Sequence, residues 1–229
     1  RLAQDPARMK RPVIERCIKN LPVIILVAFL FLLYGYFLAH TMDLTTAYLG
    51  RHIKNGEMLL EESADVRRFK QPQIHADTEN TDSRRAVLER NFYSYTNPDF
   101  PVINHHWGSG VLFYLAWRVG GFVGVHLFFI ALSLAAFAFF LCAGKQRAGW
   151  GIAGLVALLA LPLLGERTEI RPEVFTYLFS GAFFLLLCRY RERPDALSFR
   201  LLYLLPFIQI LWVNTHIYFL LGPLLVGAF

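Results

Sequence analysis

Apolar runs of membrane-crossing length constrain this chain more than anything else in it. Residues 21–38 carry no charged side chain, and a helix of about 20 apolar residues is what a bilayer core requires. A second run covers 122–142. Shorter ones cover 152–164, 174–188 and 201–213, and 218–229 stays apolar up to the last residue. Of the 229 residues 55% are hydrophobic, 21 are Phe and only 17% are charged, too little polar surface for a soluble domain of this length. The expectation is an all-α integral membrane protein, a polytopic helical bundle of about six spans. The chain opens on Arg1 and its final apolar run ends at Phe229. We therefore expect the N-terminal portion of a larger protein, with its last span truncated.

The Lys/Arg bias of short loops sets orientation. Arg1, Arg8, Lys10, Arg11, Arg16 and Lys19 precede the first run, which assigns 1–20 to the cytoplasm and 21–40 to the first span. Alternation then makes Lys145 and Arg147 cytoplasmic, together with Arg189, Arg191, Arg193 and Arg200. Residues 41–118 become a large first extracytoplasmic loop, whose nine Lys/Arg are balanced by ten Asp/Glu. Residues 119–229 carry the second to sixth spans. The net charge of +6 is thus mostly a topology signal, and no basic groove of a soluble domain speaks for nucleic acid. The first run is too long for a signal peptide and no small-residue cleavage site follows it. Cys17, Cys142 and Cys188 all fall towards the cytoplasmic side, so no disulfide framework is implied.

Within the loop, 44–56 reads as a partly amphipathic helix, with Asp43 or Thr45 to cap its start and Gly56 placed to end it. Residues 61–90 are polar and read as a solvated segment, with a short helix around 83–90. The stretch 91–107 is aromatic and holds an Asn97-Pro98-Asp99 turn and Pro101. It reads as extended chain at the membrane interface, where Tyr and Trp are enriched. Residues 108–117 read as an interfacial helix or the start of the second span.

Four polar clusters fall at the outer ends of these spans: Asp43, Asn104-His105-His106-Trp107, Glu166 to Pro172, and Asn214-Thr215-His216. With Tyr93-Ser94-Tyr95-Thr96-Asn97-Pro98, Pro101, Arg171-Pro172-Glu173-Val174-Phe175-Thr176 and Trp212-Val213-Asn214-Thr215-His216, their order resembles the GT-C superfamily of polytopic membrane glycosyltransferases. Protein O-mannosyltransferases, lipid A aminoarabinose transferases and oligosaccharyltransferase catalytic subunits belong there, and uncharacterised bacterial members resemble this chain most. The likeness covers most of the chain beyond Leu21. It departs at Ile217, where those relatives tend to carry Gly, and at the insertion-like segment 61–90.

The resemblance implies transfer of a sugar from a polyprenyl-phosphate-linked donor at the extracytoplasmic face of a bacterial plasma membrane. Asp43 would be the base or acceptor-orienting carboxylate, work worth about 10²–10⁴-fold; as a residue type it equally suits a helix N-cap. Arg171 suits the leaving phosphate, since a guanidinium matches phosphate oxygens bidentately, with Arg167 assisting. Ion pairing with Glu166 and Glu169 in a short solvated loop is the other reading of both arginines. His105 and His106 could hydrogen-bond phosphate or donate a metal ligand, and adjacent residues cannot both face one way. Asn214 and His216 are candidate substrate-binding groups, or bonds between neighbouring helices. A Mg or Mn site using Asp43 and Glu169 stays open, because some GT-C relatives use a metal and others do not. Besides the lipid-linked donor, the expected partners are membrane lipid and either further C-terminal helices or another membrane subunit. A non-catalytic subunit of a membrane complex is the second reading. A secondary transporter is the third, for which midplane charges and internal repeats are missing.

Overall fold

The computed structural model describes residues 6–41, 47–61, 103–166 and 169–229, with residues 88, 96 and 100. Asp43, Arg167 and almost all of 62–102, including the solvated segment and most of the aromatic stretch, lie outside the described residues. Every regular element among the described residues is a helix: α1 (Pro6–Thr41), α2 (Ala47–Leu60), α3 (Trp107–Gly165), α4 (Glu173–Glu192), α5 (Ala196–Leu202), α6 (Leu204–Thr215), a 3-10 turn (Ile217–Leu220) and α7 (Leu221–Ala228).

Four helical stretches are long and apolar enough to cross a bilayer: Asn20–His40, Trp107–Gly165, Glu173–Glu192 and Ala196–Thr215. This is the build of an integral membrane protein. On α1, Leu30, Tyr34 and Leu38 are buried at four-residue spacing, while Ile25, Phe29, Leu32 and Tyr36 on the other faces are exposed. A helix that is apolar all round belongs in lipid, where such an outer face costs nothing.

The 59-residue α3 is interrupted twice. Gly121 (φ 59°, ψ −148°) and Gly149 (φ 74°, ψ 172°) take positive-φ extended angles that are open essentially to glycine alone. Past Gly149 the chain folds back: a Cβ on Gly144 would lie 3.5 Å from that of Ala153. The limb before this reversal runs against α1, with His126 Nε2 2.9 Å from the Leu38 carbonyl oxygen and Phe137 beside Phe31 and Tyr34. The limb after it runs with α1, Gly154 meeting Leu26 and Gly165 meeting Phe37. Helix α4 lies along the first limb through Phe128–Phe175 and Phe140–Phe184. Asp195 then opens α5, its Oδ1 accepting the Ser198 N–H at 2.7 Å. Helix α6 returns along α4, burying Trp212 against Phe179 and Phe183.

The two ends of the bundle differ. At one, Arg147 pairs with Glu192 (3.7 Å), Lys145 lies over Trp150 and Arg191 over Phe229. At the other gather the end of α1, all of α2, the start of α3, residues 169–173 and the end of α6. Here one sequence expectation is corrected. Gly56 does not end its helix, since α2 continues to Leu60. A Cβ there would overlap the Gly110 carbonyl oxygen and come within 2.7 Å of Tyr114 Cβ, so Gly56 serves the close approach of α2 to α3. About one turn on, Tyr114 donates its phenol proton to Glu61, which also lies 3.7 Å from Arg118.

Candidate functional site

The buried face of α2 carries Leu49, His52, Ile53 and Gly56, spaced as one side of a helix. Three of the four pack as ordinary core, and the fourth places an imidazole inside it. His52 is 5% exposed. Its ring lies 5.7 Å from that of His106 at the entrance of α3, and His106 lies 5.1 Å from His216 at the end of α6. Three histidines from three distant segments therefore form one cluster at one end of the bundle.

His216 occupies the break between α6 and the 3-10 turn, in extended backbone (φ −155°, ψ 145°). Its Nδ1 is 2.7 Å from Thr176 Oγ1, and Thr176 accepts the Trp212 indole N–H at 3.1 Å. An indole N–H can only donate. The Thr176 hydroxyl is then free to donate to His216 Nδ1, which leaves the imidazole proton on Nε2. The Nδ1 of His106 is buried without a partner.

Electrostatics keep this cluster neutral. Burial, followed by the neighbouring His106, Arg51 and His216, pushes the His52 imidazole down to about 3. Burial and then His106 push His216 to about 4, against the opposing Glu173 carboxylate. His106 is lowered too, chiefly by burial. Glu173, at the first turn of α4, spans the boundary. Its Oε1 is 3.9 Å from Arg171, and its Oε2 is buried without a partner.

Arg171 borders the cluster on its outer side. It hydrogen-bonds Glu169, which raises its already high pKa, and its guanidinium lies 5.2 Å from the centre of the Tyr48 ring. Arg51 lies 5.6 Å from the same ring, so two guanidinium groups gather around one tyrosine of α2.

The residues singled out from sequence are distributed as follows. His106 and His216 are in the cluster; Arg171 and Glu169 form its rim. His105 is exposed. Asn214 turns back on its own helix, its Nδ2 donating to the Ile210 carbonyl at 2.7 Å, and its own carbonyl oxygen packs where a Gly108 Cβ would be, 2.5 Å away. Asp43 and Arg167 lie outside the described residues. Sequence reading missed His52, Glu173, Thr176 and Trp212 as site members. The last three sit inside the quoted Arg-Pro and Trp-x-Asn-x-His motifs, and the hydrogen bonds above are where those motifs meet. For His52 the available signal was a histidine on the apolar face of α2.

Among the described residues no group of three or more His, Cys, Asp or Glu side chains is arranged to hold a metal ion. The Mg or Mn site left open by the sequence depends on Asp43. The chain matches no known family model, no curated protein and no solved structure.

Proposed function

We propose that the chain is a membrane glycosyltransferase of GT-C type, or the part of one that carries its first spans. It takes sugar from a polyprenyl-phosphate donor at the extracytoplasmic face of a bacterial plasma membrane. One observation carries this reading. Residues of three motifs separated by up to 110 positions, His106, Thr176 and His216, meet at one end of an apolar bundle. In this reading the bundle makes about six crossings, α3 supplying two of them. The N-terminus and the Arg147–Glu192 end lie in the cytoplasm.

The chemistry asks for three things. The acceptor hydroxyl attacks C1 while the C1–O bond to phosphate breaks; its proton passes to a carboxylate, for which Asp43 is the candidate. The departing phosphate needs cations, and Arg171 stands at the rim of the site to meet it. The donor's hydrocarbon tail needs an apolar bed. An apolar cavity of about 430 Å³ lies between α1, both limbs of α3 and Tyr177, lined by Tyr34, Phe137, Ala153 and Ala157 among others. Its volume falls within the ~300–1,000 Å³ of ligand sites, and Tyr177 follows Thr176 of the cluster in sequence.

The test is sugar transfer by membranes containing the full-length chain, using radiolabelled polyprenyl-phosphate sugars. Asp43→Asn is expected to abolish transfer with insertion intact. Arg171→Gln is expected to lower it by about tenfold or more, the scale of one charge-assisted hydrogen bond. Wild-type activity in Asp43→Asn would overturn the assignment of that residue. No transfer from any donor, together with copurification at fixed stoichiometry with a large partner, would favour the non-catalytic subunit.

A further inference from the structure

Four buried polar atoms around the histidine cluster have no hydrogen-bond partner: His52 Nδ1, His106 Nδ1, Glu173 Oε2 and Asn104 Nδ2. A buried polar group left unpaired costs roughly 1–3 kcal/mol, and native structures hold few of them. Two of these four belong to histidines whose rings meet edge to face, their centres 5.7 Å apart. Glu173 interacts electrostatically with both His106 and His216. Asn104 is tied to His106 through its own Oδ1, which accepts the His106 backbone N–H at 3.2 Å. Of the six such atoms among the described residues these four share one small region, the other two being on Gln146 and Gln209.

The kind of capacity is informative. A carboxylate oxygen is an acceptor only and Asn104 Nδ2 a donor only, while the Nδ1 atoms of His52 and His106 can each play either part according to tautomer. A ligand completing this set has to donate at least one hydrogen bond and accept at least one. An ionised phosphodiester has no proton to donate, and any phosphate anion would meet the Glu173 oxygen as a like charge. Neighbouring hydroxyl groups do both, because each O–H donates and its oxygen accepts.

We infer that His52, His106, Glu173 and Asn104 form a subsite for a neutral hydroxyl-rich group, a sugar ring, set beside a separate phosphate position at Arg171. This rests on the glycosyl-transfer reading and divides its site in two: hydroxyl recognition inside, anion recognition on the rim. It also gives the buried His52 a purpose, since α2 brings that side chain to the cluster by the close contact of Gly56 and Gly110.

The experiment uses the full chain, purified in a sugar-free detergent such as lauryldimethylamine oxide, with ¹⁵N-labelled histidine. The probes are a panel of methyl glycosides of hexoses and pentoses, inorganic phosphate and zinc chloride. The expected result is that at least one glycoside moves the imidazole signals of His52 and His106 and raises the melting temperature. Glu173→Gln and His52→Gln weaken that response by about tenfold or more, as loss of one such bond predicts. Arg171→Gln leaves it in place. His52→Gln keeps side-chain volume and polarity; if it does not fold, Glu173→Gln alone carries the test.

Three results overturn the inference: no glycoside moves these signals, phosphate moves them as strongly, or zinc binds the histidines and displaces the glycoside. The two readings fail separately. Glycoside binding without transfer from any polyprenyl-phosphate donor refutes the enzyme and leaves the subsite. Transfer whose KM is unchanged in both His52→Gln and Glu173→Gln refutes the subsite and leaves the enzyme.

Discussion

Gly56→Ala adds one methyl group to α2, and the structure says what that methyl meets. It overlaps the Gly110 carbonyl and comes within 2.7 Å of Tyr114 Cβ, where carbon atoms prefer about 3.5–4.0 Å. Because the obstruction is backbone, no rotamer change relieves it, and α2 has to move off α3 by roughly 1 Å. A gap of that size forfeits a quarter to a half of each contact it opens. Overpacking of this kind costs about 1–3 kcal/mol. Replacing Gly by Ala within a helix returns up to about 1 kcal/mol of helix propensity, so a single variant would mix two effects. Gly50 separates them. It lies in the same helix with nothing within 4 Å of its would-be Cβ, so Gly50→Ala shows the propensity gain alone. Melting of both variants in detergent, followed by near-UV circular dichroism, should place Gly50→Ala at or above the parent. Gly56→Ala should fall below Gly50→Ala by the full steric cost. Equal melting temperatures would refute the close helix approach and the route by which His52 reaches the cluster.

Lowering pH should destabilise the fold over a defined window. His52 and His216 are held at about 3 and about 4 in the folded chain against about 6.5 when unfolded. The unfolded chain therefore takes up protons first, and stability, full above pH 6.5, falls as pH drops towards 4. At pH 4.5, two units below the unfolded value, proton uptake by the unfolded His52 amounts to about 3 kcal/mol. His52→Gln should flatten the low-pH slope of the melting temperature, and an unchanged slope would contradict a neutral buried imidazole. Thr176→Val leaves the Trp212 indole and His216 Nδ1 without their shared partner, at about 1–3 kcal/mol; Thr176→Ser should restore most of it, and an unaffected valine variant would refute the relay. Asp195→Ala removes the cap of α5 and should lower the melting temperature, whereas Asp195→Asn should retain most of it.

The helical membrane architecture was legible because lipid imposes a coarse rule on sequence: apolar length. Finer features were not, because they depend on which face of a helix meets which neighbour. Gly56 looked like a helix stop, as glycine after an amphipathic stretch usually does. Its actual reason lies 54 residues further on, at Gly110, where no local pattern points. His52 was passed over for a similar reason: it is one residue of an amphipathic face, and only packing makes it a neighbour of His106. The Arg-Pro and Trp-x-Asn-x-His motifs are visible as strings, and their charged and terminal members stand out by residue type. Thr176 and Trp212, which join them, look like ordinary helix residues until α4 and α6 are laid together. The second interruption of α3, at Gly149, was legible: it falls between the apolar runs 122–142 and 152–164, beside Lys145 and Arg147.

Trp212 offers a built-in optical window on the site. It is fully buried, whereas Trp107 and Trp117 are each 39% exposed and Trp150 is partly so. Its indole is two hydrogen bonds from the His216 ring. With the other three tryptophans replaced by phenylalanine, emission from this one ring becomes a spectral gauge of whatever pulls on that imidazole, and detergents, lipids and small molecules can be screened by fluorescence before any substrate is known.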